Sequence, residues 1–376
     1  MKAMLSCAYN ISRRYPRMLR WWLRNRARQV TLPLEYWLGR GWSALPRSIS
    51  VRPTFLCNLS CSMCSFANSA PSDGSLLVKG ALELDLAKQL IDDVAHAQPC
   101  ISLTGGEPFL WKPLFELFDY ARRVGVMCTV TTNGTLIKRR FDELMASPPD
   151  VMAVSILGPR EVHDRIVGSQ GQFDKVVEGI RMVNEAKGND PWARPLIVLN
   201  TPMIMENAEA FASVVELAGE LNVAISHFQH LWFTTDEMVG GGQFEVEGQK
   251  LSESIRIDEE LVDPELIWEG MRRAASRRNG VYVRFFPSLG HDEVRVYYRE
   301  PLRLVGPRRA VCAWLFTHIL PNGDVSPCLG FVAGNLHTQR FPEIWNSPRM
   351  IAFRRHLIKK RTLPICNRCC AYFRRD

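Results

Sequence analysis

Three cysteines, Cys57, Cys61 and Cys64, lie within eight residues of the chain at CxxxCxxC spacing. Residues 48–55 before them are typical of a strand that ends in a loop. Three thiolates on one loop can bind a metal cluster, and a cubane iron–sulfur cluster normally takes four thiolates. The spacing therefore predicts a cluster in which one iron stays open to a substrate or cofactor. A zinc site and buried free thiols are the alternatives, although zinc sites prefer paired CxxC elements.

A second motif, Thr104-Gly105-Gly106-Glu107-Pro108, comes about forty residues after the third cysteine. It follows a predicted strand at 100–104. Glycine lets the backbone approach a ligand closely, and the carboxylate of Glu107 can accept hydrogen bonds from a cation. Alone, the motif is a common turn and a weak signal, but its position after the cysteines and at a strand end strengthens it.

Together these motifs resemble those of the radical S-adenosylmethionine (SAM) superfamily. The resemblance implies that the amino and carboxylate groups of SAM chelate the open iron of a [4Fe–4S] cluster. An electron from the cluster would then cleave SAM to methionine and a 5′-deoxyadenosyl radical, which abstracts hydrogen from an unactivated carbon. The resemblance further implies that Gly105, Gly106, Glu107 and Pro108 hold the methionine amino group. Met63 stands where relatives usually carry an aromatic residue near the adenine.

The end of a predicted fourth strand matches relatives only in part. Residues 155–159 correspond to SxDGP in relatives, and residues 163–168 correspond to HDxxRG. This chain has Leu157 in place of the acid and Val167 in place of the arginine. The match therefore leaves Ser155 as the implied contact to the cofactor.

Two other predicted strand ends carry polar residues. Residues 132–134 resemble the TNG turn of relatives, although a plain strand-to-helix turn explains them equally well. His227, Gln229 and His230 end the predicted sixth strand, and alternation would direct some of them into a barrel mouth as substrate contacts. Structural histidines are the alternative. The loop 233–257 is interpreted either as a lid or as a plain surface excursion.

Strands and helices alternate from residue 49 to about residue 230. The predicted strands are 49–55, 100–104, 126–132, 151–156, 195–201 and 224–230. The predicted helices are 85–97, 112–124, 137–146, 172–187, 206–221 and, after a long loop, 258–278. This alternation predicts an α/β fold with a parallel sheet and right-handed crossovers. The family resemblance implies a partial (β/α)6 barrel of the TIM type. Binding sites in such barrels lie at the C-terminal ends of the strands, where each motif above falls.

A second group of cysteines lies near the C-terminus. Residues 322–323 are Asn-Gly between strand-like segments at 315–320 and 325–329, which predicts a hairpin that brings Cys312 and Cys328 close together. Cys366, Cys369 and Cys370 follow in one short run. Before them, the sequence Ile-Trp-Asn-Ser-Pro at 344–348 opens a predicted basic helix at 348–360.

This region resembles the SPASM/twitch extension of radical SAM enzymes, a small α+β iron–sulfur domain. The resemblance implies one auxiliary [4Fe–4S] cluster held by Cys312, Cys328, Cys366 and Cys369. Cys370 is an alternative to Cys369, and a structural zinc ribbon is an alternative to the cluster. The other cysteines, Cys7, Cys100 and Cys128, are interpreted as buried or incidental thiols.

The net charge of the chain is +8 and is concentrated at the N-terminus. Residues 1–50 hold ten Lys or Arg and one acid, Glu35, so their net charge is +9 and that of the remaining chain is −1. Residues 12–30 are predicted to form a basic amphipathic helix, and residues 32–46 a linker or short helix. The apolar face of the helix at 12–30 would contain Tyr15, Met18, Leu19, Trp22 and Leu23, and another face would carry Arg17, Arg20, Arg24 and Arg28. Such a helix suits an anionic membrane surface; packing on the main domain is the alternative.

We therefore expect three parts: a basic arm at 1–47, a radical SAM barrel at 48–305 and an auxiliary-cluster domain at 306–376. The expected activity is hydrogen abstraction from a small-molecule, sugar or lipid-linked substrate, with flavodoxin or ferredoxin as reductant. A peptide maturase is the second interpretation, and a non-catalytic electron-transfer or zinc protein is the third. The charge distribution gives no indication of nucleic acid. Because the chain begins without an apolar signal region, we expect it in the cytoplasm, peripheral to the membrane if the arm binds lipid.

Overall fold

The computed structural model describes residues 2–64, 80–233, 235, 238, 245–246, 249–250, 262–277, 280–306, 309–328, 331–369 and 371. Its strands are β1 Ser48–Val51, β2 Cys100–Leu103, β3 Met127–Thr132, β4 Val151–Ser155, β5 Leu196–Met203, β6 Ile225–His230, β7 Glu245–Val246, β8 Gln249–Lys250, β9 Tyr282–Phe286, β10 Phe316–Ile319, β11 Asp324–Ser326 and β12 Gly334–Asn335. They form one ten-stranded sheet in the order β12-β11-β10-β1-β2-β3-β4-β5-β6-β9, and a separate ribbon of β7 and β8.

The α-helices of the described part are α1 Lys2–Arg14, α2 Pro16–Leu38, α3 Leu84–Val94, α4 Leu114–Val124, α5 Phe141–Ala146, α6 Arg160–Val167, α7 Gln172–Ala186, α8 Phe211–Glu220, α9 Pro264–Ser276, α10 His291–Arg299, α11 Cys312–Leu315, α12 Phe341–Trp345 and α13 Pro348–Lys360. Short 3-10 helices occupy Ala95–Ala97, Pro108–Leu110, Lys138–Arg140, Met205–Ala210 and Pro364–Arg368.

Each strand from β10 to β9 in the sheet order runs parallel to its neighbour. The predicted partial barrel with a C-terminal extension is therefore confirmed, and each of the six predicted strands exists. The sequence did not reveal β9, because its five residues include a charged Arg284 in the middle. It also did not reveal helices α6 and α10. Of the loop 233–257, the ribbon of β7 and β8 is described, and its role as a lid stays a prediction.

The two faces of the sheet pack against different elements. Leu199 and Phe228 point into the main core, where Phe228 contacts Phe211 of α8 with ring centroids 5.4 Å apart. Residues that alternate with them along the strands point to the opposite, inner face of the barrel. There the N-terminal arm covers the beginnings of β4, β5, β6 and β9. This second cluster consists of Cys7, Tyr15, Leu196, Ala224 and Ile225, with Ile11, Met18, Val151, Trp192, Val198 and Tyr282 at its margin.

The arm thus closes the bottom of the barrel. The Tyr15 hydroxyl donates a hydrogen bond to the Trp192 carbonyl at 3.0 Å, and Arg14 pairs with Asp190. Farther along, the Trp21 indole donates to the Arg47 carbonyl at 3.0 Å, just before β1. These partners precede strands, so they mark the end of the barrel opposite the predicted site.

The arm differs from the prediction in the bounds of its helices. The helix at 12–30 is in fact the end of α1 and part of α2, interrupted at Tyr15-Pro16, and α2 continues through the expected linker to Leu38. Trp22 and Leu23 of the predicted apolar face are 48% and 52% exposed. The helix instead turns Arg28 inward, where it donates hydrogen bonds to the carbonyls of Ala44 and Trp314 at 2.7 and 2.9 Å. Polar contacts therefore set the rotation of α2 and override its hydrophobic spacing.

The C-terminal segment joins the same sheet. Ser48 to Val51 of β1 pair with Phe316 to Ile319 of β10 on one side and with β2 on the other. The predicted hairpin at Asn322-Gly323 is confirmed as the antiparallel pair β10 and β11. The three-part division at residues 47 and 305 stays a prediction, while the hydrogen-bonded sheet runs across the second boundary.

Candidate active site

The glycine motif lies directly against the residues that precede the first cysteine motif, which we define as Cys57, Cys61 and Cys64. The Gly106 N–H donates to the Thr54 carbonyl at 3.0 Å, and the Glu107 N–H donates to the Leu56 carbonyl at 2.8 Å. A Cβ atom on Gly106 would lie 2.2 Å from the Leu56 oxygen, which is closer than real Cβ contacts come. The motif therefore needs glycine here, because a larger residue would push the cysteine loop away.

The Glu107 carboxylate is buried at the centre of this contact, with 1% of the residue exposed. Its Oε1 accepts hydrogen bonds from the Phe109 N–H at 2.9 Å and the Thr132 hydroxyl at 2.7 Å, and its Oε2 accepts one from the Asn133 N–H at 2.7 Å. Burial raises the pKa of Glu107 to about 7, although these three bonds oppose the rise. A ligand ammonium group would restore the ionised form, so the environment suits a cation.

Asn133 connects the glycine motif to the cysteine loop. Its side-chain amide nitrogen lies 3.8 Å from the Cys57 sulfur and donates to the Asn58 Oδ1 at 2.9 Å. Asn58 in turn donates to the Thr135 hydroxyl at 2.9 Å. Residues 132–134 therefore form more than a plain strand-to-helix turn. Both interpretations of this turn fit the sequence equally well, and only the spatial contacts with Glu107 and Asn58 distinguish them.

The thiols of the first cysteine motif lie close enough to influence one another. Burial and the neighbouring Cys64 and Cys57 raise the pKa of Cys61 to about 12. Burial of its thiol, with Glu107 and Cys64 nearby, also raises the pKa of Cys57, although the residue as a whole is exposed. Three thiolates without a counter-ion would therefore repel one another, and iron binding removes that cost. This donor set fits the open cluster that the sequence predicts.

An apolar cluster packs against the cysteine loop. It consists of Leu59, Leu157, Ile166, Val167 and Ile204, with Cys61, Met63, Val162 and Leu231 packed against it. Leu157 and Val167 are each 2% exposed. The two positions where relatives carry an acid and an arginine are thus filled here by packed apolar side chains. The structure places Met63 on this cluster.

The histidine and aspartate that follow are structural. The His163 Nδ1 accepts a hydrogen bond from the Leu157 N–H at 3.2 Å, and burial lowers the pKa of His163 to about 4, so the ring is neutral. The Asp164 carboxylate accepts bonds from the N–H groups of Gly171 and Phe173 at 2.6 and 2.9 Å. Both side chains fix the turns around α6.

Ser155 lies at the end of β4 in a row of residues that crosses the inner face of the barrel. The strand register places Ser155 beside Asn200, Asn200 beside His227 and His227 beside Arg284. Directly registered residues of parallel strands point to the same face. Gln229 lies two residues farther along β6 on that face. His230 points to the other face, where its Nδ1 lies 2.9 Å from the Tyr298 hydroxyl, and burial lowers its pKa to about 3. Of the three proposed substrate contacts, His230 is thus placed as a structural histidine.

The auxiliary pocket is defined by Cys312, Cys328, Cys366 and Cys369. All four line one cavity of about 70 Å³ together with Arg52, Trp232 and His318. Burial, with Cys312 and Cys328 nearby, raises the pKa of the Cys366 thiol well above its usual range. Cys370 lies outside the described residues.

Arg368 anchors the loop between Cys366 and Cys369 to the barrel. It is fully buried, and its guanidinium donates to the carbonyls of Val296 and Glu300 at 2.8 and 2.6 Å, near the C-terminus of α10. The Tyr297 hydroxyl bonds both the Arg368 carbonyl at 3.2 Å and the Leu231 carbonyl at 3.0 Å. The sequence does not signal this residue, because a buried arginine between two cysteines has no local pattern.

In the described part of the chain, no three His, Cys, Asp or Glu side chains are arranged to hold a single metal ion. Thiolates around a cluster bind different irons and stand farther apart than the ligands of one zinc ion. The sharing of one pocket by four thiols is therefore compatible with the cluster interpretation of this group.

The fold and the two cysteine sites place the protein in the class of partial-barrel iron–sulfur enzymes. The family model of the radical SAM superfamily matches residues 51–218, and that of the SPASM iron–sulfur cluster-binding domain matches residues 312–370. The chain belongs to the radical SAM superfamily and carries a C-terminal SPASM domain. Membership implies a [4Fe–4S] cluster with SAM and auxiliary iron–sulfur binding. The prediction of an enzyme is confirmed, and the non-catalytic alternatives are not supported.

The chain is similar to proteins named for different activities. The chain is 27% identical to the AdoMet-dependent heme synthase of Methanosarcina barkeri over 80% of this chain and 82% of that protein. It is 31% identical to the sporulation killing factor maturation protein SkfB of Bacillus subtilis over 46% of this chain and 40% of that protein. The fold also matches the crystal structure of Streptococcus suis SuiB bound to precursor peptide SuiA. This match covers 84% of this chain and 68% of the SuiB chain, with 16% identity and a TM-score of 0.60. This last likeness concerns the fold alone.

Proposed function

We propose that this radical SAM enzyme abstracts hydrogen from a small molecule that carries anionic groups, free or linked to a sugar or lipid. The outcome would be an oxidation, an epimerisation or a related modification, with flavodoxin or ferredoxin as reductant. A ribosomally made peptide is the second candidate, and the partial match to SkfB favours it. The longer match to a heme synthase makes carboxylate-bearing tetrapyrroles the first class to test.

One observation carries the proposal, the exposed cation on the inner face of the barrel. Arg284 is exposed, and its guanidinium carbon lies 5.5 Å from the Phe286 ring centroid. Burial raises the pKa of Cys7 in the arm to about 11, and nearby Arg284 opposes that rise. Arg284 therefore lies just above the closed bottom of the barrel. Three strand spacings of about 4.8 Å separate it from Ser155, so it is suited to bind the far, anionic end of a substrate.

The remaining site residues take the following proposed roles. Cys57, Cys61 and Cys64 would bind the first cluster, and Cys312, Cys328, Cys366 and Cys369 would bind the auxiliary cluster. Met63, Gly105, Gly106, Glu107, Pro108 and Ser155 would contact SAM. When bound, the first cluster and SAM supply a carbon radical that abstracts hydrogen. The buried Glu107 would orient the SAM ammonium group, and the apolar cluster around Leu59 would keep water away from the loop.

The test uses the full chain, loaded with iron and sulfide under anaerobic conditions and reduced with dithionite. Fe-coproporphyrin III is a suitable probe, because another relative, 36% identical over 34% of this chain, is an Fe-coproporphyrin III synthase. It should increase the yield of 5′-deoxyadenosine and should itself change in mass. Arg284→Gln should raise the KM for this substrate at least tenfold, while SAM cleavage without substrate stays unchanged. Arg295→Gln, an exposed arginine on α10, is the matched control. No response to anionic small molecules, together with a mass change in a peptide encoded beside the gene, would favour the second candidate.

We also propose that the outer face of α2 contacts an anionic membrane surface. A stripe of exposed apolar residues follows helical spacing along this face, and its members are Leu23, Val30, Leu34, Trp37 and Leu38. The stripe belongs to the segment whose net charge is +9, and this combination suits an anionic bilayer. No described helix is long and apolar enough to span a membrane. Vesicles with phosphatidylglycerol should sediment the chain, and Leu34→Ser with Leu38→Ser should abolish sedimentation without loss of folding.

A further inference from the structure

A cavity of about 410 Å³ lies between α2 and the segments that lead into β1 and β10. Its wall includes aromatic rings and arginines, among them Trp21, Trp22, Trp37, Arg26, Arg47 and Arg309. Arg47 directly precedes β1, whereas the first cysteine motif follows the other end of that strand. The cavity is therefore separate from the candidate active site.

Three arginines give the wall of the cavity positive charge. Its described lining residues include three arginines and neither aspartate nor glutamate. Burial and the nearby Arg28 lower the pKa of Arg47, so the cation is costly there without an anion. The Arg47 Nη1 is buried and has no hydrogen-bond partner in the part of the chain that is described. The buried Arg47 Nη1 is thus a donor that an anion in the cavity would satisfy.

The buried amide of Asn25 is a second, independent sign of a ligand. Asn25 is 5% exposed and lines the cavity, and its Nδ2 has no hydrogen-bond partner among the described residues. Buried amide donors are normally satisfied, since a buried donor without an acceptor loses the hydrogen bond that water would give it. An acceptor oxygen in the cavity would satisfy this group.

The mouth of the cavity adjoins the apolar stripe of α2. Trp22 and Trp37 line the cavity and are 48% and 54% exposed, and Trp37 also belongs to the stripe. Arg26 lies over the Trp22 ring at 5.2 Å and Arg309 over the Trp37 ring at 4.7 Å, each measured to the ring centroid. Tryptophan and arginine at one rim are typical of the boundary between lipid headgroups and acyl chains.

We propose that this cavity binds the phosphate headgroup of one anionic phospholipid, whose acyl chains stay in the membrane beside the stripe. This inference rests on the proposed membrane contact of α2 and names the lipid that the contact recognises. The three arginines and the Asn25 amide would bind the phosphate oxygens, and the tryptophan rings would pack on the glycerol and upper acyl carbons. The charge of the wall favours an anionic headgroup over a zwitterionic one.

The test separates the headgroup site from the membrane contact. Titration calorimetry of the full chain would use dihexanoyl phosphatidylglycerol below its micellar concentration, with dihexanoyl phosphatidylcholine and inorganic phosphate as comparisons. The anionic lipid should bind at least tenfold more tightly than either comparison. Arg26→Gln and Arg309→Gln should each weaken it about fivefold, because one cation near a lipid surface contributes roughly 1 kcal/mol. Arg123→Gln, an exposed arginine of α4 outside the arm, should leave it unchanged.

Each result decides one of the two proposals. Equal binding of the two short lipids, or equal binding by Arg309→Gln and Arg123→Gln, would overturn the headgroup site. If vesicles still sediment the chain in that case, the membrane contact stands without a lipid-specific cavity. Leu34→Ser with Leu38→Ser should abolish vesicle binding but keep short-lipid binding. If short lipid binds as expected and the parent chain does not sediment with vesicles, the membrane contact is wrong while the cavity remains a phosphate-lipid site.

Discussion

Replacement of Glu107 by glutamine is the sharpest test of the proposed SAM site. Glutamine keeps the shape of the side chain, so its Oε1 can still accept from Phe109 and Thr132. Its amide nitrogen would then face the Asn133 N–H, and one hydrogen bond of 2.7 Å is lost. The ligand ammonium also loses its charged acceptor. Losing a buried, charge-assisted bond costs roughly 2–4 kcal/mol, so the affinity for SAM should fall by about one to three decades.

The pH dependence of SAM affinity is a second test of the role of Glu107. Burial raises the pKa of Glu107 from 4.5 to about 7, so the ligand-free fold favours the protonated form and loses stability as pH rises from about 4.5 through 7. An ammonium ligand requires the ionised form. SAM affinity should therefore weaken below pH 7, by up to about tenfold per pH unit, and level off above it. The Glu107→Gln variant should not show this dependence.

Equilibrium dialysis of iron-loaded protein with labelled SAM at pH 6 and 8 measures both effects. Asp164→Asn is the matched control, because Asp164 is a buried carboxylate with two backbone donors and no proposed ligand contact. It should lower the free energy of unfolding but leave SAM affinity unchanged. If Glu107→Gln binds SAM within twofold of the parent at pH 8, or if both variants lose affinity alike, the role assigned to Glu107 is wrong.

Three further predictions address the cysteine sites and the glycine contact. Iron-loaded protein should hold about eight irons, and the triple alanine variant of the first cysteine motif should hold about half as many. A colorimetric iron assay measures this, and an unchanged iron content in the variant would contradict the assignment. Cys312→Ala or Cys328→Ala should still yield 5′-deoxyadenosine from dithionite-reduced protein but no substrate product, and loss of cleavage in soluble, half-loaded protein would argue against separate roles. Gly106→Ala should cost about 1–3 kcal/mol of stability by displacing Leu56, and should reduce iron in the first cluster, as seen by thermal unfolding and absorbance. Gly290→Ala, whose added Cβ would meet nothing nearer than 3.7 Å, is its control.

The sequence predicted the barrel because its strands and helices alternate with clear periodicity. The first cysteine motif stood out because its spacing is local, whereas the grouping of Cys312 and Cys328 with Cys366 and Cys369 came from the family resemblance. Contacts between distant segments were harder to foresee. Asn133 had two equal interpretations until its bonds to Glu107 and Asn58 were known. β9 was missed because Arg284 interrupts an apolar run, although an inward-facing charge of this kind fits a strand that lines a cavity.

The arm shows the limit of hydrophobic periodicity. Counting apolar residues grouped Trp22 and Leu23 with Tyr15 on one helix face, yet Tyr15 is buried and the other two are exposed. The rotation of α2 depends on the bonds that Trp21 and Arg28 make to carbonyls far along the chain, among them Trp314. Such partners have no signature in a window of twenty residues. By contrast, Leu157 and Val167 were recognised as unusual from the sequence, and their burial against Leu59 explains why no charge is needed there.

The position of β1 between β2 and β10 has a consequence for synthesis of the chain. Ser48 to Val51 leave the ribosome early, but their partners Phe316 to Ile319 follow about 270 residues later. At roughly 5–20 residues per second, one edge of β1 stays unpaired for about 15–50 seconds. During that time the nascent barrel exposes a strand edge that is open to pairing with other chains. Yields of intact enzyme should therefore depend on chaperones that protect this edge until translation of the C-terminal segment is complete.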